Sequence, residues 1–516
     1  MKKRSLLIGA VAIGLLLIGG RTLAMSMEAQ QAADEAAKEA AEQQRFAIEV
    51  RLEESRSAFD ASLEAAIREK LNMVQAVYAE KKAEEIRANT IFVGKRGAKV
   101  YAEANTGADK VSSLPVGDPL YIKERIQDEQ GVDTWYAVQY DYEDEKPLGW
   151  IQAKRAVALR VELIDKPYDG VDYDHIRPTA NYESNPRVQV KGIYLTGHTM
   201  TNSRLDDLIA LADRTAINAF VIDVKDDNGT MLFPTEAAEK YSPKANQKSY
   251  FKAGEVEAVI EKLKEHNIYM IARIVTFKSP KYAVAHTDRA IVYKNSGSLF
   301  KSGDGIIWAS PHDRDLWDYN VSVAKEAAAK GFNEIQFDYV RFPATGSKLD
   351  KQLDFRNPEG HNKAQTIHNF LEYAYDILSK EEVYVSADVF GWAATSIGDV
   401  GIGQHWESLT HVVDYMSPMM YPSHYGPGIY GLSVPDAFPY ETIDAGIQDA
   451  LERDKNVETP SQLRPWIQDF TATWVKGYIR YGDKEVEAQI RALEDNGVGE
   501  YLIWNPINRY SEGGIR

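Results

Sequence analysis

The chain has 516 residues, 44% hydrophobic and 27% charged, the balance of a globular protein of several domains rather than of a disordered or fibrous one. Its 77 acidic residues against 60 basic ones leave a formal charge of −17, which repels phosphate backbones, so no nucleic-acid partner is expected. Cysteine is absent, which excludes disulfides, thiol catalysis, cysteine-ligated zinc and iron–sulfur clusters together.

At the N-terminus Lys2, Lys3 and Arg4 precede an apolar run from Leu6 to Gly20. Residues 1–27 are therefore predicted to be a signal anchor or a signal peptide, with Thr22 and Ala24 as the small residues before a cleavage point. Basic residues before the run and a mostly acidic segment after it place the bulk of the chain outside the cytoplasm. It is then either held to the cell membrane by that segment or secreted after cleavage. From Arg21 to Val93 there is no Gly or Pro, and Ala, Glu, Gln, Lys and Arg dominate, so residues 28–88 are predicted to form a helical stalk. Ile48, Leu52 and Phe59, then Leu63, Ile67 and Leu71, recur at spacings of four and seven. That pattern fits a homodimeric coiled coil and, equally, a solvated spacer helix.

Residues 89–159 change character. Short β-rich runs at Lys99–Tyr101, Pro119–Ile126, Trp135–Tyr140 and Gly149–Ile151 alternate with Gly, Asp and Pro turns. The succession KVYAEANTGADKVSSLPVGDPL, WYAVQY and GWIQAKRA resembles the bacterial SH3-like domain, a small all-β barrel. The resemblance implies either a ligand from wall peptides or a spacing role. A Tyr-, Asp- and Pro-rich linker over 160–187 follows.

From 188 to 516, strand-like runs alternate with helical stretches eight times. The predicted strands are Val190–Thr196, Phe220–Val224, Tyr269–Val275, Glu334–Val340, Val383–Val389, Val412–Met420, Arg464–Phe470 and Glu500–Trp504. The order predicts an α/β fold, a (β/α)8 TIM barrel. A doubly wound sheet would want a Gly-rich fingerprint after its first strand, and YLTGHTMTN supplies none. Along these strands the side chains alternate. Ile335 and Phe337, Val385 and Ala387, and Phe220, Ile222 and Val224 form outward sets that can pack on helices. Asp338, Asp388 and Asp223 are then expected to point into the barrel near its C-terminal face, where active sites of this fold lie.

GFNEIQFDYVRFP (Gly331–Pro343), preceded by WASPHDRDLWDYN (Trp308–Asn320), resembles the bacterial putative glycoside hydrolase domain family, a TIM-barrel group. VKGIYLTGH, NAFVIDVKDDNG, SADVFGW and DYMSPMMYPSHY extend the resemblance over most of Val190–Arg509. It implies hydrolysis of O-glycosidic bonds in an extracellular or cell-envelope polysaccharide. The acidic motif of chitinase-like barrels, Asp-x-x-Asp-x-Asp-x-Glu, is missing.

Glycoside hydrolysis usually uses two carboxyl groups, one ionised and one kept protonated by its surroundings. Asp338 is the expected nucleophile or base and Asp388 the expected general acid, with Asp469 as its competitor. Asp414 begins its strand and is assigned to the opposite face. Arg341 is expected either to hold Asp338 ionised or to form a loop salt bridge. Asp223 and Lys225 either hydrogen-bond sugar hydroxyls or pair with each other or with Arg273. Trp392, Tyr421, Tyr425 and Trp504 fall at strand ends, where aromatic platforms would meet the apolar faces of sugars, and Asn505 joins them as a substrate contact. His198 and His424 read as substrate contacts or as polar surface, and Asp226, Asp227 and Asn228 as a turn. No His-Glu-x-x-His, nucleophile elbow or phosphate-binding Gly loop occurs, so neither metal nor cofactor is expected. The rival class is a non-catalytic carbohydrate-binding or cell-envelope scaffold protein on the same barrel.

Overall fold

The computed structural model describes residues 38–51, a discontinuous set between 68 and 89, and residues 90–515 except 178. The chain divides into two compact units, residues 1–89 and 90–516. In the first unit residues 38–51 are helical, as are the described residues from 68 to 89, and Phe46 and Ile48 are exposed. The anchor segment 1–27 and the stalk positions Leu52, Phe59, Leu63, Ile67 and Leu71 lie outside the described residues. Among the described residues no helix is long and apolar enough to cross a membrane.

The second unit begins with a seven-stranded antiparallel sheet. Its strands, in spatial order, are Lys110–Leu114, Ala98–Tyr101, Gly149–Gln152, Asp133–Gln139, Pro119–Gln127, Thr90–Val93 and Ala156–Val157. Val93, Val100, Leu120, Val138 and Ile151 form its core. Four of its strands match the runs read from the sequence. The three others are short or polar and carry little period-2 signal, as in the KVSSL of Lys110–Leu114.

The predicted linker is an ordered strap. Tyr173 is buried with its hydroxyl 3.1 Å from Ser408 Oγ, and Arg177 lies over the Tyr375 ring at 3.8 Å. Asn185 donates to the carbonyls of Asn333 and Glu382, and Arg187 pairs with Asp414 at 2.8 Å. The strap therefore runs across the N-terminal ends of the barrel strands, which is where the sequence assigns Asp414. Arg160, at the start of the strap, bonds the Glu458 carboxylate at 3.1 Å and the Lys455 carbonyl.

Eight parallel strands close the barrel: β1 (Lys191–Leu195), β2 (Ala219–Lys225), β3 (Tyr269–Val275), β4 (Glu334–Asp338), β5 (Tyr384–Phe390), β6 (Tyr415–Met419), β7 (Trp466–Gln468) and β8 (Tyr501–Trp504). Each pairs with its sequence neighbours, β5 pairs with β6, and β8 returns to β1. Helices such as Val256–Glu265, Arg314–Lys330, Lys363–Leu378 and Asp483–Asp495 form the outer ring. Asp313 and Asn362 cap two of them by accepting from backbone amides, and Gly331 ends one in the left-handed region at φ 102°. The outward residues Phe220, Ile222, Val224, Ile335, Phe337, Val385, Ala387 and Val389 all join the large cluster between strands and helices. The lumen holds a separate cluster that includes Tyr194, Val221, Tyr269, Ile271, Tyr384, Tyr415 and Trp466. Below it, Arg464 is fully buried between Glu334 and Glu500, at 2.7 Å from each.

Candidate active site

Alternation along β4 and β5 turns Asp338 and Asp388 into the lumen. Phe337 pairs with Ala387, so the two aspartates occupy the next position on adjacent strands at the C-terminal mouth. Both line a cavity of about 420 Å3 that opens there.

Arg273, on β3, organises one side of the site. Its Nε and Nη2 donate to Asp338 Oδ2 at 2.9 and 2.5 Å, and its Nη1 donates to Asp223 Oδ1 at 2.5 Å. Asp227 Oδ2 lies 3.6 Å from Nη2. Asp223 accepts a further bond from the Tyr194 hydroxyl at 2.5 Å, and the Tyr194 ring stacks on Trp504 at 4.0 Å. The other oxygen of Asp338 accepts from the Tyr339 amide at 2.5 Å. Tyr339 itself has φ +48°, a left-handed conformation unusual for a bulky residue and directly beside the carboxylate.

Asp388 is in a different setting. Trp466 Nε1 donates to its Oδ1 at 2.7 Å. Burial, and then the charge of nearby Asp338, hold its carboxyl well above the ordinary carboxylate range. The pair thus consists of one carboxylate gripped by a guanidinium and one carboxyl driven toward its protonated form. That division of roles is what general acid catalysis beside a nucleophile or base requires.

Around the pair stand Trp392, Tyr421, Trp504 and Phe470, with His424 and Tyr425. Trp392 begins a short helix after β5 and remains 39% exposed, so its ring is available at the rim. The preceding Gly391 could not carry a side chain, because a Cβ would lie 2.5 Å from the Tyr425 hydroxyl and 2.7 Å from the Met419 carbonyl. Phe470 stacks on Trp474 at 6.0 Å, and Trp474 is 68% exposed.

Of the residues singled out from sequence, Asp338, Asp388, Arg273, Arg341, Trp392, Tyr421, His424, Tyr425 and Trp504 line this cavity. Four others do not. Asp223 is buried behind Arg273 and positions that guanidinium rather than facing the cavity. Lys225 is turned away: the β2–β3 register shifts at Arg273 and Ile274, and the extra residue sends the ammonium to Asn320 Oδ1 at 2.5 Å and over the Tyr319 ring. Burial lowers its pKa to about 7. Asp469 follows outward-facing Ile467 by two residues, so it too leaves the lumen, and it accepts the Ser511 amide and hydroxyl at 2.7 Å. Its competing role as general acid is therefore not supported by its position. Asn505 donates to the Asp469 and Arg509 carbonyls and accepts from Ile507, which commits it to shaping its loop.

Arg341 lines the cavity but makes no ion pair with Asp338; Arg273 takes that place. Arg341 donates to the Phe342 carbonyl at 2.9 Å and lies over the rings of Trp308, Tyr339 and Phe390. Asp226 accepts from the Asn228 and Thr230 amides, which is the turn read from the sequence, and it leaves Asp227 facing the cavity. Tyr339, Phe390, Gly391, Met419, Trp466 and Phe470 also line the cavity without having been singled out from the sequence as site residues, and Asp227 was read only as part of a turn. Trp466 was within reach, since it alternates with outward Ile467 in the predicted seventh strand. Among the described residues no cluster of His, Cys, Asp or Glu has the arrangement of a metal site.

Among curated proteins none matches the chain. A hypothetical protein from Ruminiclostridium thermocellum is 38% identical over 38% of this chain and 97% of its own, with a TM-score of 0.34. The PgaB (BpsB) glycoside hydrolase domain from Bordetella bronchiseptica is 13% identical, covering 61% of this chain and 94% of that one, with a TM-score of 0.44. The spore cortex-lytic enzyme SleL of Bacillus megaterium is 10% identical over 63% and 72%, with a TM-score of 0.38. Residues 192–510 match the family described as "Putative glycosyl hydrolase domain", and the chain belongs to that family.

Proposed function

We propose that the cavity hydrolyses O-glycosidic bonds of an extracellular or cell-envelope polysaccharide, with Asp338 as nucleophile or base and Asp388 as proton donor. The observation that carries this reading is the unequal pair: Asp338 faces Arg273, while buried Asp388 is pushed toward its protonated form. The exposed ring of Trp392 and the Phe470–Trp474 stack add apolar platforms of the kind that sugar faces pack against. In the same reading the N-terminal segment 1–27 holds the protein at the membrane with the barrel outside the cytoplasm, and the small antiparallel sheet is an SH3-like module.

The test is release of sugar from a panel of bacterial surface polysaccharides by the purified full chain. Asp338→Asn and Asp388→Asn are each expected to lower turnover by about 10^3-fold or more while the fold is retained. Unchanged turnover in Asp338→Asn would sink the assignment.

One observation favours a second reading. The Arg273–Asp338 pair is buried and satisfied, as it would be in a carbohydrate-binding barrel that performs no chemistry. Retention of a polysaccharide without release of sugar, by the native chain and by both variants alike, would establish that reading instead.

A further inference from the structure

A second chamber, of about 430 Å3, adjoins the catalytic cavity. The two share Tyr339 and Arg341 as lining residues, so a ligand in one lies beside a ligand in the other. The charged groups lining the second chamber are Lys278, Lys301, Arg341 and Asp304, three cations against one carboxylate in a chain whose overall charge is −17.

Arg341 differs from Lys278, which has a carboxylate partner. Among the described residues no carboxylate lies within ion-pair distance of its guanidinium. One N–H is used on the Phe342 carbonyl, and three aromatic rings hold the guanidinium at 4.9–5.3 Å between centroid and Cζ. A guanidinium set among aromatic rings, with one N–H on a carbonyl, keeps further N–H donors that a ligand can take. Lys278 lies over the same Tyr339 ring at 4.7 Å and pairs with the half-exposed Asp304 at 3.3 Å. Two cations therefore converge on Tyr339 within reach of the chamber, although burial alone makes a cation costly unless something balances it.

We propose that this chamber is a subsite for an acidic sugar: it takes a glycan unit bearing a carboxylate, as in a uronic acid, next to the unit whose bond is cut. The planar edge of Arg341 matches a carboxylate in bidentate fashion, and Lys278 adds a second, non-directional charge. The proposal rests on the glycosidase reading of the neighbouring cavity for its place in the reaction, but not for the binding itself.

The experiment measures binding of the purified full chain to oligogalacturonate, oligomannuronate and hyaluronan oligosaccharides. Each is paired with its carboxyl-reduced, neutral counterpart. At least one acidic member is expected to bind ten-fold or more tightly than its neutral partner. Arg341→Gln and Lys278→Gln are each expected to pull that ratio toward one, with the thermal transition still cooperative to show that the fold is retained. A ratio near one for all three pairs, no binding of any probe at millimolar concentration, or a ratio that survives in both variants would overturn the proposal. A phosphorylated mannan oligosaccharide in the same assay separates two sources of negative charge, and its preferred binding over all three acidic probes would overturn the carboxylate assignment. Product analysis runs on the same samples. Acidic preference without hydrolysis upholds the subsite and sinks the Asp338–Asp388 chemistry, whereas hydrolysis without acidic preference does the reverse.

Discussion

Arg464 and Arg273 occupy the same lumen, one at each end, and both are gripped by carboxylates. At the base Arg464 sits between Glu334 and Glu500 with its face on the Tyr415 ring at 3.6 Å, all of them buried under the strand ends that the 160–187 strap crosses. At the mouth Arg273 sits between Asp223 and Asp338, and there one carboxylate faces a cavity that also holds Asp388. The ion-pair chemistry is nearly identical, so a buried charge by itself does not identify a site. What differs is the neighbour: Arg464 and its two glutamates are all buried, and the mouth pair borders a cavity that holds a second carboxyl, one driven toward its protonated form. Buried ion pairs are weak evidence for stability in general, yet breaking one by removing a single partner is costly.

Substitution separates the two ends. Arg464→Met is expected to cost about 3–5 kcal/mol in a denaturant unfolding experiment, because it leaves two glutamates buried without a cation, while turnover per folded molecule stays near native. Arg273→Met is expected to lose less stability, since Asp338 can be hydrated from the cavity, and to lower turnover per folded molecule by about 10^2-fold. Equal losses of stability with undiminished turnover in both variants would make the mouth cluster as structural as the base.

The pH profile sharpens the contrast. Because the Asp388 carboxyl is raised, it donates its proton only below that raised value, so kcat/KM is expected to fall on the alkaline side as Asp388 ionises. The same shift is linked to folding. The contribution of Asp388 to stability is fully present below the ordinary carboxylate pKa of about 3.9 and is lost as pH rises through its folded-state value. Asp388→Asn should therefore gain stability relative to the native chain as pH increases, measured by thermal unfolding across a pH series. A smaller effect belongs to the rim. Trp392→Ala is expected to raise KM about five-fold, the equivalent of about 1 kcal/mol of ring–sugar contact, with kcat little changed.

Much of this was legible in the sequence for a physical reason. Strands covered on both faces still alternate between helix-facing and lumen-facing residues, so Asp338 and Asp388 declared their direction once β4 and β5 were drawn. All eight barrel strands lie within the predicted runs or differ from them by a residue or two. The failures share a cause as well. Lys225 was assigned by alternation, but the bulge opposite Arg273 breaks the period just before it. Asp469 and Asn505 sit past strand ends, where side chains answer to loop hydrogen bonds rather than to the pleat. Phe470 and Asp227 reach the cavity from loops, and the placing of loops is decided by long-range packing that no local pattern records. The strap over 160–187 looked like a linker because its contacts, such as Arg187 with Asp414 and Asn185 with Asn333, are made to residues far away in the chain.

The bond from Trp466 to Asp388 gives the protein an optical reporter of its own acid. An indole N–H held 2.7 Å from a carboxyl oxygen experiences a change in local field when that carboxyl loses its proton. The emission of Trp466, isolated as the difference between the native chain and Trp466→Phe, should then shift over the same pH interval in which turnover falls. The ionisation of Asp388 could be followed in the resting protein, before any substrate has been identified.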